Sequence, residues 1–413
     1  MRSRVIVIGG GAAGLMAAGC AARRDLEVII YDKNSRPGRK LMITGKGRCN
    51  LTNNCDVQTL ISNIVHGGKF LYSAFSLFNP SDTMLFFEKL GVPLKTERGR
   101  RVFPQSDKAA DIVDALKKFA DKSGAIYKKG EISDIIIEDG VAKGVITSAG
   151  EKIGADAVII CTGGLSYPGT GSTGDGYKFA RMAGHEITEL TPSLVPLVTK
   201  EGWCRKLQGL TLKNVSIKLV KEGEKKAIFK DFGEMLFTHY GISGPVVLSA
   251  SAHIDDIKNG NYEFHIDLKP ALDNKKLYDR INRDIVKYSA KNIENALTDL
   301  LPRRMIPVAL NISGIPLDIK ASEMTREYRT ALTETLKDMS LSIKDYLGYD
   351  EAVITRGGVN LKEIDPKTMQ SRKVRGLAFA GEVLNADAYT GGYNLQIAFS
   401  TGYIAGEKIL SDL

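Results

Sequence analysis

The 413-residue chain is poor in cysteine, and none of its cysteines forms a CxxC pair. Cys20, Cys49, Cys55, Cys161 and Cys204 are scattered and odd in number, which argues against a disulfide framework and against a zinc site. The chain also lacks a run apolar enough to be a membrane span or a secretion signal. The best candidate, Val5 to Ala22, follows two arginines and carries no charge, but five of its eighteen residues are glycine, so no strongly apolar core develops. The cytoplasm is therefore the expected compartment, with no membrane contact and no metal. A third absence is a basic stripe interleaved with aromatics. The excess of 57 basic over 48 acidic residues gives +9, which would suit an anionic partner. Yet Arg100-Arg101, Lys117-Lys118, Lys225-Lys226 and Arg303-Arg304 are dispersed, as on a solvated surface, so nucleic acid is not the expected partner. With 43% apolar residues, the chain can fill the cores of two or three domains.

What is present begins at the N-terminus. The β-branched run Val5-Ile6-Val7-Ile8 enters Gly9-Gly10-Gly11-Ala12-Ala13-Gly14 and leaves as an alanine-rich stretch, the order strand, phosphate loop, helix. Gly9 permits the tight turn, Gly11 lets backbone approach a pyrophosphate, and Gly14 lets the helix lie close to the strand. The helix N-terminus offers free N–H groups to the anion. A second strand, Glu27 to Tyr31, ends at Asp32, eighteen positions after Gly14. A carboxylate there accepts a ribose 2′-hydroxyl and repels a 2′-phosphate, which points to an unphosphorylated adenosine, as in FAD or NAD. Six basic residues, Lys33, Arg36, Arg39, Lys40, Lys46 and Arg48, follow within sixteen positions. Residues 37–53 read as a glycine-punctuated basic binding loop, with Arg39 or Lys40 facing phosphate oxygens. Cys49 beside Arg48 reads as a packed thiol, with reactivity the lesser alternative.

Further along, Ser81-Asp82 is expected to cap a helix to Leu90, and Ser106-Asp107 another through Ala120. Period-two spacing from Ala125 to Ile160 predicts a β-meander with a turn at Glu138-Asp139-Gly140, then the buried strand Ala157 to Cys161. That strand ends in Thr162-Gly163-Gly164, at the edge where open α/β sheets hold ligands. A second GxGxxG, Gly169 to Gly174, has no strand feeding it, and reads as a loop leading into the helix Asp175 to Ala183. A separate NAD(P)H domain is therefore not expected. Alternating residues from 192 to 269 suggest a small β-domain, residues 270–340 are helical, and residues 341–355 return to the β-domain. Residues 376–381 read as a buried strand of the first sheet, and the last helix as running from Gly392 to Ile409. The expected division is 1–191 with 356–413 for the nucleotide domain, 192–269 with 341–355 for the β-domain, and 270–340 for the helical one, with a cleft at their junction.

Several motifs together resemble the BaiN-like or YhiN-like family of NAD(P)/FAD-dependent oxidoreductases, aminoacetone-oxidase-like FAD-binding flavoproteins. They are the N-terminal glycine motif, Gly38-Arg39-Lys40 with Gly47-Arg48-Cys49-Asn50, and the stretch from Thr162 to Pro168. Gly233 to His239 leads to Gly241-Ile242-Ser243-Gly244-Pro245, and Gly357-Gly358-Val359, Gly381-Glu382-Val383 and Gly391-Gly392-Tyr393-Asn394 complete the set. The resemblance spans essentially the whole chain. It implies an α/β fold with a split Rossmann-like FAD-binding domain of the glutathione-reductase superfamily type, an inserted β-barrel-like domain and a small helical domain. Carried over, Gly9, Gly11, Ala13 and Gly14 touch the pyrophosphate and Asp32 the adenosine ribose. Arg39 and Lys40 follow the diphosphate, the backbone near Ile132 meets adenine, and Gly381-Glu382 with Asn394-Leu395 lies by the ribityl chain and flavin ring, with Lys33, Gly47, Thr162 and Gly163 completing the cofactor-binding set. At Asn385-Ala386-Asp387-Ala388 the chain departs from relatives, which commonly have Asp first and Gly last.

The resemblance further implies that FAD takes hydride from NAD(P)H, a transient reductant, and passes it from N5 to an electron-poor C=C of a small molecule, an enone of steroid or bile-acid type. The proton donor for the other carbon is sought among His239, Tyr167 and Tyr393, each in a glycine-rich loop, with Glu234 and Ser243 as further choices. A flavin oxidase of a small amine or ketone, an RNA-modifying flavoprotein and a flavin-bound sensor are the alternatives. The oligomeric state is left open.

Overall fold

The computed structural model describes residues 2–224 and 226–411. The chain forms two compact units, Met1–Ser193 with Tyr349–Leu413, and Leu194–Gly348. In the first, β1 (Arg4–Ile8) feeds the glycine turn and α1 (Ala12–Ala22), followed by β2 (Glu27–Asp32). Next come α2 (Arg39–Gly47), β3 (Ile126–Lys129) and β4 (Ala157–Ile160). The second unit contributes β5 (Leu197–Thr199), β6 (Thr211–Lys221), β7 (Phe229–Phe237), β8 (Gly241–Ser243), β9 (Tyr262–Asp267) and β10 (Met339–Tyr346). The chain then returns to the first unit with β11 (Leu377–Phe379) and α3 (Tyr393–Lys408).

The first unit is built on a parallel sheet in the order β11-β4-β1-β2-β3. Its central strands are near-continuous apolar runs because both faces are covered. Val5, Ile6, Val7 and Val158 to Ile160 have no exposed surface, each such burial contributing roughly 2 kcal/mol. On one face α1 lies against α3. A Cβ on Gly402 would sit 2.5 Å from Ala13 O, and one on Gly406 2.3 Å from Ala17 O, so the absent side chains set the helix spacing. The meander 132–154 has its turn at 139–140 as expected.

The second unit is a closed antiparallel barrel in the order β5-β8-β7-β6-β9-β10. The helices Asn274–Lys287, Ile306–Ile312 and Arg326–Lys337 do not form a body of their own. Leu277, Ile281, Leu332 and Leu336 share one apolar core with Ile217, Phe264 and Leu341 of the barrel.

Other local expectations shift. Residues 349–355, assigned to the β-domain, belong to the first unit, because Ile354–Arg356 pairs with Thr191–Ser193. The helix Pro80–Lys89 is capped two residues earlier than expected, by Asn79, whose side chain accepts from the Ser81 and Asp82 amides while Asp82 accepts from the Asn79 amide. The next helix, Ala109–Ser123, shifts the other way and starts beyond Ser106-Asp107, with Lys108 at its N-cap. The basic loop is partly helical as α2, broken at Thr44, Gly45 and Lys46.

Candidate active site

The carboxyl ends of β1, β2, β3, β4 and β11 open onto one cavity of about 750 Å³, inside the first unit. This is the edge where doubly wound sheets bind ligands, and the volume is in the range of a cofactor site. Gly9, Gly11, Ala13, Asp32, Lys33, Arg39, Lys40, Ile132, Thr162, Gly163, Gly381, Glu382, Asn394 and Leu395 all line it. Two of the expected cofactor residues do not. Gly14 is turned into the fold, where a Cβ would lie 1.9 Å from Gly9 O, so its role is to seat α1 on β1. Gly47 is also off the wall, whereas Gly45, Lys46 and Arg48 are on it.

The N-terminal turn is shaped as its spacing demands. Gly9 has φ +103, and a Cβ there would meet Cys161 O at 2.5 Å; a Cβ on Gly11 would meet nothing within 4 Å. The first glycine therefore serves the fold and the third leaves backbone open to the cavity. Asp32 is held by two amides: Oδ2 accepts from Gly10 N at 2.7 Å and Oδ1 from Asn34 N at 2.7 Å.

The basic residues are anchored. Lys33 Nζ pairs with Asp175 at 2.6 Å, Lys40 Nζ donates to Glu382 at 2.6 Å and to Ser166 Oγ at 2.5 Å, and Arg39 donates to Asn34 Oδ1 at 2.9 Å. Glu382 Oε1 also accepts from Ser166 Oγ and from Thr355 N. Among the described residues, neither Arg39 nor Lys46 pairs with a carboxylate. The second glycine motif supplies a wall, Thr170 to Ser172, tied to β2 by Asn34 Nδ2 donating to Thr170 O at 3.1 Å.

A bound FAD is tested by two atoms. Thr162 Oγ1 and Asn50 Oδ1 are buried, without a hydrogen-bond partner, in residues that line this cavity. Buried polar atoms are rarely left so. With an open Gly11 backbone, cationic Arg39 and Lys46, and a carboxylate at the end of β2, this donor and acceptor set fits a dinucleotide. FAD would be held at its diphosphate by the Gly11 turn and Arg39, and beyond it by Thr162, Asn50, Gly381 and Asn394.

The three proton-donor candidates separate. Tyr167 lines the cavity, has a left-handed backbone (φ +53), and burial with the nearby Glu351 charge pushes its phenol pKa up. Tyr393 does not line it; α3 turns its ring into a small apolar cluster with Cys55, Leu60 and Leu71. His239 lies in the barrel unit, where it lines a different cavity. Cys49 is fully buried and its pKa is pushed up to about 12, a packed thiol and not a nucleophile. Sequence reading passed over Arg101, Phe103 and Tyr389, which also line the cavity but carry no motif. Nor could it pair His66 with Asp387, 321 positions apart. His66 Nδ1 lies 2.7 Å from Asp387 Oδ1, beside Ala388, whose N and O are both bonded by the Asn394 amide.

The HI0933-like protein Rossmann domain matches residues 3–408. The chain belongs to this family. It is an FAD-dependent oxidoreductase, as the HI0933-like relatives are. It is 34% identical over 98% of both chains to the 3-dehydro-bile acid delta(4,6)-reductase of Clostridium scindens. It is also 30% identical to the ribosomal RNA dihydrouridine synthase of Escherichia coli, over 99% of this chain and 98% of that one. The 3-ketosteroid delta1-dehydrogenase structure from Sterolibacterium denitrificans shares the fold at TM-score 0.52 and 12% identity, with 99% of each chain covered. Among the described residues, no helix is long and apolar enough to cross a membrane.

Proposed function

We propose that this HI0933-like protein reduces a carbon–carbon double bond conjugated to a carbonyl, in a small enone of steroid type, with NAD(P)H as reductant. When bound, FAD supplies the hydride carrier between the two. The chain's own share is to bind, to orient and to hold a proton. Tyr167 is the residue we assign to the proton: it lines the cavity, and its phenol carries a proton at neutral pH that it can donate. Lys40 and Glu382, braced from behind by the buried Ser166, form a fixed polar wall that orients what lies against it. The observation that carries the reading is the full-length similarity to a reductase of a bile-acid double bond.

A second reading has its own support, the similarity to two ribosomal RNA dihydrouridine synthases at 30% identity and the net charge of +9. Its chemistry is the same in kind, because the 5,6 double bond of uracil is conjugated to a carbonyl. The readings differ in substrate size. Purified protein is reduced anaerobically with NADH and NADPH in turn, and flavin reoxidation is followed against 3-keto steroids with Δ4 or Δ4,6 unsaturation and against RNA. Turnover of a steroid at a rate saturating in steroid supports the first reading. Reoxidation only by RNA, with a two-dalton gain at a uridine, replaces it with the second.

A further inference from the structure

We propose that the cavity of the barrel unit beside His239 binds a nucleoside phosphate. This cavity, of about 640 Å³, is walled by β5, the short helical turn Gly202–Leu207, the Thr238–Gly241 turn and β10. Three cations, Lys200, Arg205 and Lys344, line it together with His239, and among the described residues none of the four forms an ion pair with a carboxylate. The turn that carries His239 is fixed. Thr238 N donates to Gly241 O at 2.9 Å, Gly241 N to Thr238 Oγ1 at 3.1 Å, and Thr199 N to Tyr240 O at 3.2 Å. The His239 ring stands edge-on to Tyr240, centroids 4.8 Å apart.

A fifth group points to the ligand's other half. Glu201 also lines this cavity; its Oε1 accepts from Ser342 N at 2.9 Å, but its Oε2 is buried without any partner. A buried carboxylate oxygen calls for a hydroxyl or N–H donor, while the cations call for an anion. A bare inorganic anion meets the second demand and is repelled by Glu201. A neutral sugar meets only the first. A sugar phosphate meets both, and a nucleoside attached to it suits the volume. Three cations against one carboxylate leave an excess of positive charge, which suits a phosphate ester. The phosphate could belong to a free nucleotide, such as the reductant, or to a nucleotide within an RNA chain; the chemistry recognised is the same.

The test is a titration of the full-length, FAD-loaded, oxidised protein with adenosine 5′-monophosphate. A filled flavin site keeps the probe out of the first unit's cavity. The nucleotide is expected to bind and adenosine not to. The double variant Lys200→Gln/Lys344→Gln should weaken nucleotide binding at least tenfold, and the single variant Arg205→Gln should weaken it in the same sense, with the flavin spectrum unaltered. Glu201→Gln should cut the preference for the ribonucleotide over its 2′,3′-dideoxy analogue several-fold, since relief of repulsion on the phosphate is common to both. Short single-stranded RNA distinguishes the two sources. RNA that binds more tightly than the mononucleotide, with a salt slope that falls by roughly 1.4 in the double variant, assigns the site to a polynucleotide. RNA that binds no better assigns it to a free nucleotide. Absence of nucleotide binding, affinity indifferent to the lysine substitutions, or displacement of the nucleotide by a simple hydroxy acid at equal concentration overturns the proposal. No turnover is measured, so a negative result leaves the reductase reading untouched.

Discussion

At the scale of single residues, two side chains carry separate predictions. Tyr167 sits on the cavity wall in a backbone conformation that non-glycine residues seldom adopt, and such strain is kept only where the surroundings impose it. Tyr167→Phe removes the hydroxyl and keeps the ring. Flavin content and rate of reduction by NAD(P)H should be retained, while reoxidation by saturating enone should slow by about 10²-fold, the usual worth of a positioned acid. Stopped-flow measurement of the two half-reactions checks this, and equal slowing of both would remove the assignment. His185 serves stability. Its ring is buried between Glu363 Oε2 at 3.0 Å and Ser371 Oγ at 2.7 Å. Burial lowers its pKa below the ordinary 6.5, though Glu363 pulls the other way. The folded state thus binds fewer protons than the unfolded one near that value. The stability it contributes is complete above about pH 6.5 and is lost as pH falls through the depressed value. Urea midpoints between pH 7.5 and 5 should fall more steeply in the wild-type protein than in His185→Gln.

At the scale of elements, the packing of α1 on α3 couples the fold to the site. Gly402 has no room for a methyl group, since its Cβ would lie 2.5 Å from Ala13 O and 3.0 Å from Ala13 Cα. Both are backbone atoms, so relief requires the helices to part. Gly402→Ala is expected to cost about 1–3 kcal/mol, as overpacked cores do, seen as a lower urea midpoint. Because Ala12 and Ala13 line the cavity, FAD affinity should fall with it. A variant that loses stability and keeps its flavin affinity would show that the cavity wall does not follow the helix. The break in α2 is an element of the same kind. Gly45 and Lys46 have left-handed backbones, and a Cβ on Gly45 would press on Asn50 N at 2.9 Å. This irregular turn places Asn50 at the cavity.

At the scale of the whole molecule, the described residues form two large cores, one under the parallel sheet and one joining the barrel with its helices, beside the small cluster that holds Tyr393. A ligand that binds only the native first unit stabilises that unit by mass action, about 2.7 kcal/mol at a hundredfold excess over Kd. The one tryptophan, Trp203, belongs to the second core and packs on Phe237 with ring centroids 5.9 Å apart. Denaturant titrations should therefore give two midpoints in excess FAD, tryptophan emission reporting the barrel and flavin release the first unit. Coincident curves by both probes would mean one cooperative unit.

The sequence by itself determined what local spacing encodes. The turn from β1 into α1, the carboxylate ending β2, the meander with its turn at Asp139-Gly140 and the glycines lining the cavity were all legible, because each is set by neighbours in the chain. The start of the Pro80–Lys89 helix was misplaced for an equally local reason, since Pro80 behind Asn79 was the better cue than Ser81-Asp82. Only the tertiary structure decided the rest. It turned Tyr393 into an apolar cluster and kept Tyr167 at the cavity, paired Ile354–Arg356 with Thr191–Ser193, and joined the helices to the barrel core. It also set Lys40 against Glu382 and His66 against Asp387 across more than three hundred positions. Those outcomes depend on which surfaces find each other once the chain is closed. Periodicity and glycine spacing carry no record of that choice, because a side chain's partner is selected by packing and charge over the whole fold.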